Sequence, residues 1–129
     1  MADGFEEMAV GRVIDLGVAP VRAEAIAAFV AQFAPDWPAE AGAPDAMVFA
    51  LWSRLDEAAL SSGGGKRLGV DALRWMRNPP AGELLRARMT VMGKDPVGET
   101  KGIVIAQHDL IDEAGRLVFS CLTRDVLPR

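Results

Sequence analysis

Ala46-Met47-Val48-Phe49-Ala50-Leu51-Trp52-Ser53-Arg54-Leu55-Asp56-Glu57-Ala58-Ala59-Leu60, running into Ser61-Ser62-Gly63-Gly64-Gly65, is the stretch where the chain changes its period. Val48, Leu51, Trp52 and Leu55 fall close to one helical stripe, and apolar residues cover most of the circumference. A helix that is apolar nearly all round is a buried helix rather than a surface one. The glycines end it as a flexible turn.

Downstream the period becomes that of strands. Residues 69–77 form the first, and Pro79-Pro80-Ala81-Gly82 a turn. In residues 84–94, Leu85, Ala87, Met89 and Val91 alternate with Arg86, Arg88, Thr90 and Met92, close to period two. After a turn at 95–98, residues 100–112 and 117–127 make two more strands around Glu113-Ala114-Gly115. Consecutive strands joined by short turns run antiparallel. Upstream, residues 12–17 read as a strand closed by Gly17 and Pro20. Residues 22–33 read as a helix, with Ile26, Phe29, Val30 and Phe33 at spacings of three and four. Residues 34–44 hold three prolines and one glycine and read as a loop. The expected class is therefore α+β, one domain over residues 1–129, with an antiparallel sheet wrapped around a central helix.

Composition narrows the function. Half of the 129 residues are apolar, enough to bury roughly two-thirds of the unfolded chain's surface. The formal charge of −4 argues against bulk binding to nucleic acid or anionic membrane. Cys121 is alone and cannot form an internal disulfide. The acidic stretch 1–7 has no signal-peptide pattern, and no apolar run approaches the ~20 residues of a membrane span. The cytoplasm is the expected compartment.

A family resemblance rests on specific residues. Phe5-Glu6-Glu7-Met8-Ala9-Val10-Gly11 is similar to the F-E-D-x-x-V-G opening of MaoC-like acyl dehydratases. Asp71-Ala72-Leu73-Arg74-Trp75-Met76-Arg77, then Pro80-Ala81-Gly82-Glu83-Leu84, resembles their D-x-L-R-W-x-R…P-G-D-x-L segment. Gly102-Ile103-Val104 and the hairpin at Asp112-Glu113-Ala114-Gly115 fall where that family has its last two strands. The resemblance implies a hotdog fold, a homodimer joined edge to edge, and hydration or dehydration of acyl thioesters of coenzyme A or acyl carrier protein. It implies no cofactor. It places the site between the central helix and a loop of the neighbouring subunit.

Adding water to an enoyl thioester needs a base for the water and donors for the thioester oxygen. In the hydratases of the family, an Asp and a His of a D-x-N-P-x-H stretch act on the water. Here the region reads Phe33-Ala34-Pro35-Asp36-Trp37-Pro38-Ala39-Glu40. Either Asp36 takes the Asp place and Glu40 stands where His belongs, or Ala34 has replaced the Asp. Under both alignments the His is missing. Asp36 and Glu40 are candidates to share the acid and base roles, as paired carboxylates can; the plainer reading makes both solvated loop residues. Ahead of the helix, Ala41-Gly42-Ala43-Pro44-Asp45 offers a weaker oxyanion site, because Pro44 lacks an N–H and Asp45 is negative. Trp37, Phe49 and Trp52 are candidates to fill the space of an acyl chain, or are core or dimer contacts.

His108, the single histidine, alternates in phase with Val104 and Ala106, so it reaches the central helix if that face points inward. It is a candidate displaced acid or base, or a structural strand histidine. Arg74, Arg77, Arg86 and Arg88 lie on two strands joined by a turn. Arg74, Arg86 and Arg88 are candidates for coenzyme A phosphates, or ordinary solvated sheet edges. Ser61-Ser62-Gly63-Gly64-Gly65-Lys66 lacks the spacing and the preceding strand of a phosphate loop. One His and one Cys give no metal site. Three functions remain open: a hydratase or dehydratase (a hydro-lyase) with a reworked site, a non-catalytic binding subunit, and a hotdog thioesterase.

Overall fold

In the computed structural model, which describes residues 4–129, five strands form one antiparallel sheet. They are β1 (Val13–Pro20), β2 (Lys66–Trp75), β3 (Leu84–Pro96), β4 (Lys101–Ile111) and β5 (Leu117–Pro128), in the order β1-β3-β4-β5-β2. Two helices precede β2: α1 (Ala23–Phe33) and α2 (Asp45–Ser62). The start of the acidic stretch 1–7 lies outside the described residues.

The α+β expectation holds. β3 buries Leu85, Ala87, Met89 and Val91 and exposes Arg86 and Arg88, as its period-two pattern requires. β4 buries Val104, Ala106, His108 and Leu110 on one face. These faces close over α2, whose Val48 and Trp52 are fully buried against Phe119, Leu110 and Leu85. A second cluster, around Phe5, Met8, Met89 and Leu127, seals the other end.

Three details differ from expectation. β1 does not stop at Gly17 but runs on to Pro20. Gly17 is a bulge against β3, in the left-handed region at φ 105°, and its N–H donates to Asp15 Oδ1 at 2.8 Å. Ser61 and Ser62 end α2 rather than begin a turn. Most important, β2 and β3 are not neighbours. β2 pairs with β5 and forms one edge of the sheet, while β3 pairs with β1 and β4. The connection at 76–83 carries Pro79-Pro80, is too long for a hairpin turn, and crosses the end of the sheet. Among the described residues, no helix is long and apolar enough to cross a membrane.

Candidate functional site

Two regions carry chemistry, and they lie at opposite ends of α2. The first is the loop before it. Trp37 folds back so that its indole N–H donates to the Gly42 carbonyl at 2.9 Å. Gly42 has φ 82°, and a Cβ there would strike the Asn78 and Pro79 carbonyls, so only glycine fits. The Ala43 N–H donates to Pro79 O at 2.9 Å, and the Asn78 amide donates to Ala43 O and to Asp45 Oδ1. Asp45 thus commits its carboxylate to the β2–β3 connection. Pro44 sits just ahead of the helix, as its cap residue rather than its first helical residue.

The loop carboxylates are plainly placed. Asp36 and Glu40 are both exposed, Glu40 within a 3-10 turn at Ala39–Ala41. Glu40 and Trp37 line an open groove of about 710 Å³ whose far wall is Ile26 and Val30 of α1. α1 buries none of its residues, which is why that groove stays open.

The second region lies beneath the second half of α2. Asp56 continues the Val48–Trp52 stripe by one more turn and is only 2% exposed. Arg67 of β2 stands opposite Asp125 of β5 and grips it with two hydrogen bonds, Nε to Oδ1 at 2.9 Å and Nη2 to Oδ2 at 3.1 Å. The same Nη2 donates to Asp56 Oδ2. His108 of β4 completes the group. Its Nε2 hydrogen-bonds Thr123 Oγ1 at 2.8 Å, and its ring meets Trp52 edge-on at 5.0 Å. The Arg67 guanidinium also stands 5.4 Å from the Trp52 ring centre.

Burial dominates the electrostatics here. It pushes the Asp56 carboxyl above the usual range, against the pull of Arg67. Burial and the Arg67 cation hold His108 down to about 4, so its ring is neutral at pH 7. Burial raises the Cys121 thiol to about 12, with Asp56 adding to it, which leaves that thiol inert. Arg67 stays protonated because Asp125 and Asp56 outweigh its own desolvation. Among the described residues His108 Nδ1 has no hydrogen-bond partner, and it lies 3.7 Å from Asp56 Oδ1, beyond hydrogen-bond reach. Asp56 and Asp125 line a small, partly open cavity of about 80 Å³, together with residues such as Met8, Leu16, Leu60 and Met89.

The remaining candidates scatter. Trp52 is wholly buried and packs on Phe49 and Phe119. Arg86 and Arg88 share the exposed face of β3, paired with Asp15 at 2.5 Å and Asp109 at 3.6 Å. The structure does not bring Arg74 to them: β4 and β5 stand between, because β2 lies on the far edge. Arg77 is tied to Glu83 and Asp112. Sequence reasoning singled out His108 but missed Asp56, Arg67 and Asp125. The signal was present: Asp56 is in phase with Val48 and Trp52, and Asp125 alternates in phase with Cys121, Thr123 and Leu127. A charge in phase with an apolar face is paired inside the core.

No family model and no curated protein sequence matches the chain. Solved structures do. A MaoC-like dehydratase from Rhodospirillum rubrum is 26% identical, with a TM-score of 0.87 over 99% of this chain and 98% of that one. An (R)-hydratase from A. caviae involved in PHA biosynthesis is 22% identical, with a TM-score of 0.73 over 95% and 99%. A conserved hypothetical protein from Mycobacterium tuberculosis with a double hotdog fold is 19% identical, with a TM-score of 0.75 over 98% of this chain and 44% of that one. The chain has the hotdog fold, and its resemblance to MaoC-like dehydratases and (R)-hydratases extends over its whole length.

Proposed function

We propose that this chain is one MaoC-like hotdog domain, residues 1–129, that binds acyl thioesters of coenzyme A or acyl carrier protein as a cytoplasmic homodimer. The observation that carries the reading is the full-length likeness to a MaoC-like dehydratase, together with the sequence motifs at residues 71–77 and 80–84, in β2 and the connection that leads to β3. The unpaired β2 edge supports a homodimer: it exposes Leu68, Leu73 and Trp75, and an open apolar edge invites another strand.

If the chain is a catalyst, it is a hydro-lyase, and its candidate acid and base groups are Asp36, Glu40 and His108. Trp37, on the groove wall, and Trp52, on the buried face of α2, are the candidate acyl-side aromatics. Arg74, Arg86 and Arg88 are the candidate phosphate ligands. Arg74 is the best placed of the three, since the other two are already engaged by carboxylates. A non-catalytic binding subunit is the second reading, and a thioesterase the third. Two features favour the second: no His stands in the loop, and Trp52, Phe49 and Phe119 fill the space beneath the first half of α2.

Calorimetric titration with crotonyl-CoA, followed by a turnover assay on the same thioester, tests the reading. Micromolar binding supports it, and turnover selects the hydro-lyase. Absence of binding by acyl-CoA and acyl carrier protein alike sinks it.

A further inference from the structure

Resting on the acyl-thioester reading above, we infer that Asp56 is the base that handles water in this chain, with Arg67 and His108 as its positioning residues. The cavity beneath α2 would receive the reacting end of a short enoyl thioester.

Three observations converge on Asp56. It is a buried carboxylate on the wall of a cavity, which is where a base and a water must meet. It is held from behind: Arg67 binds Oδ2 and is itself fixed by its two bonds to Asp125. Finally, the neighbouring imidazole is arranged for a carboxyl group that gains a proton. Buried polar atoms almost always have partners, so the orphan His108 Nδ1 calls for a reason. In the tautomer whose Nε2–H donates to Thr123, the unprotonated Nδ1 lies 3.7 Å from Asp56 Oδ1, acceptor beside acceptor. Once Oδ1 carries a proton, an O–H···N bond forms and both groups are satisfied. In that tautomer the pair is better matched after Asp56 has taken a proton than before.

The step balances without a co-reactant. Asp56 takes one proton from a cavity water as the water oxygen bonds to the β-carbon of the enoyl group. The double-bond electrons shift to the α-carbon and the thioester carbonyl. The α-carbon then takes that proton from Asp56, and one water has been added. A cavity of about 80 Å³ has room for water beside a short acyl end but not for a long chain.

Crotonyl-CoA hydration by the full chain tests this, with kcat, KM, pH profile and melting temperature measured for each variant. Asp56→Asn should lower kcat by ~10²–10⁴-fold, the usual worth of a general base. His108→Leu should lower kcat at unchanged KM and move the acid limb of the profile to lower pH. His108→Gln, whose amide oxygen can accept the same bond, should restore part of both. The groups facing Asp56 that enter the profile are Arg67, Asp125, His108 and Cys121 across the core, with Glu57 beside it on α2. Should Asp56→Asn fail to fold, Leu60→Phe narrows the cavity and spares the ionic group; a tenfold loss of turnover is then expected. Unchanged turnover in Leu60→Phe, or in a folded Asp56→Asn, overturns the inference. Loss of turnover in Asp36→Ala alone overturns it too, and leaves the proposed function standing. Wild type that binds crotonyl-CoA without hydrating it overturns the inference but not the binding. Wild type that binds no thioester removes the function itself.

Discussion

Asp36 and Glu40 stand exposed on the loop before α2, whereas Asp56 and Asp125 are carboxylates sealed beneath it, both gripped by one guanidinium. The loop pair faces bulk water, Glu40 at the rim of an open groove, and a carboxylate there is well solvated and its neighbours are screened. The buried pair has given up bulk water, so each charge depends mainly on the partners the fold supplies. The same residue type is therefore dispensable to the fold in one place and a structural commitment in the other. The family resemblance assigns the chemistry to the loop, whereas we infer it for Asp56 in the core.

The largest effect that would break this contrast is removal of Arg67. Arg67→Met leaves two buried carboxylates without a cation and should lower unfolding free energy by about 3–5 kcal/mol in denaturant titration. Replacing the whole group, as Asp56→Leu, Arg67→Met and Asp125→Leu together, should recover most of that loss, since no charge is left stranded. A triple variant as weak as Arg67→Met alone would mean that the ionic group is itself a net source of stability.

Next comes pH. The folded state holds His108 at about 4 against an ordinary value near 6.5, so between them the unfolded chain binds the extra proton. Stability should therefore fall as pH drops from 6.5 toward 4, by roughly 3 kcal/mol from this group, at ~1.4 kcal/mol for each pH unit between the two values. Asp56, raised in the folded state, binds protons there sooner than in the unfolded chain and opposes part of the loss at the low end. Urea titrations at pH 7 and pH 4.5 should show the slope in wild type and a much flatter one in His108→Gln.

A smaller effect sharpens the loop side of the comparison. Gly42→Ala should cost about 1–3 kcal/mol in thermal unfolding, because φ 82° strains an L-residue and the new Cβ meets two carbonyls. Smallest of all, Asp36→Ala and Glu40→Ala should each change stability by less than ~0.5 kcal/mol, as exposed substitutions do.

The helices were legible in the sequence almost to the residue. Residues 22–33 and 46–60 are observed as Ala23–Phe33 and Asp45–Ser62, because their apolar spacing is strong and Pro44 and the glycines mark the ends. Strand order was not legible. Local alternation shows which face of a strand is buried but not which strand it meets, so β2 and β3 read as neighbours when they stand far apart. The functional residues divide the same way. Asp36 and Glu40 came from a contiguous motif. Asp56, Arg67 and Asp125 are spread over α2, β2 and β5 and meet only once the sheet has closed.

A crystal structure with butyryl-CoA, a saturated thioester that cannot take up water, would separate the two regions outright. The butyryl end is expected inside the cavity beneath α2, against Asp56 and beside Leu60 and Met89. A butyryl end lying in the outer groove between Trp37, Glu40 and α1, with the cavity beneath α2 unchanged, would contradict the assignment of the chemistry to Asp56.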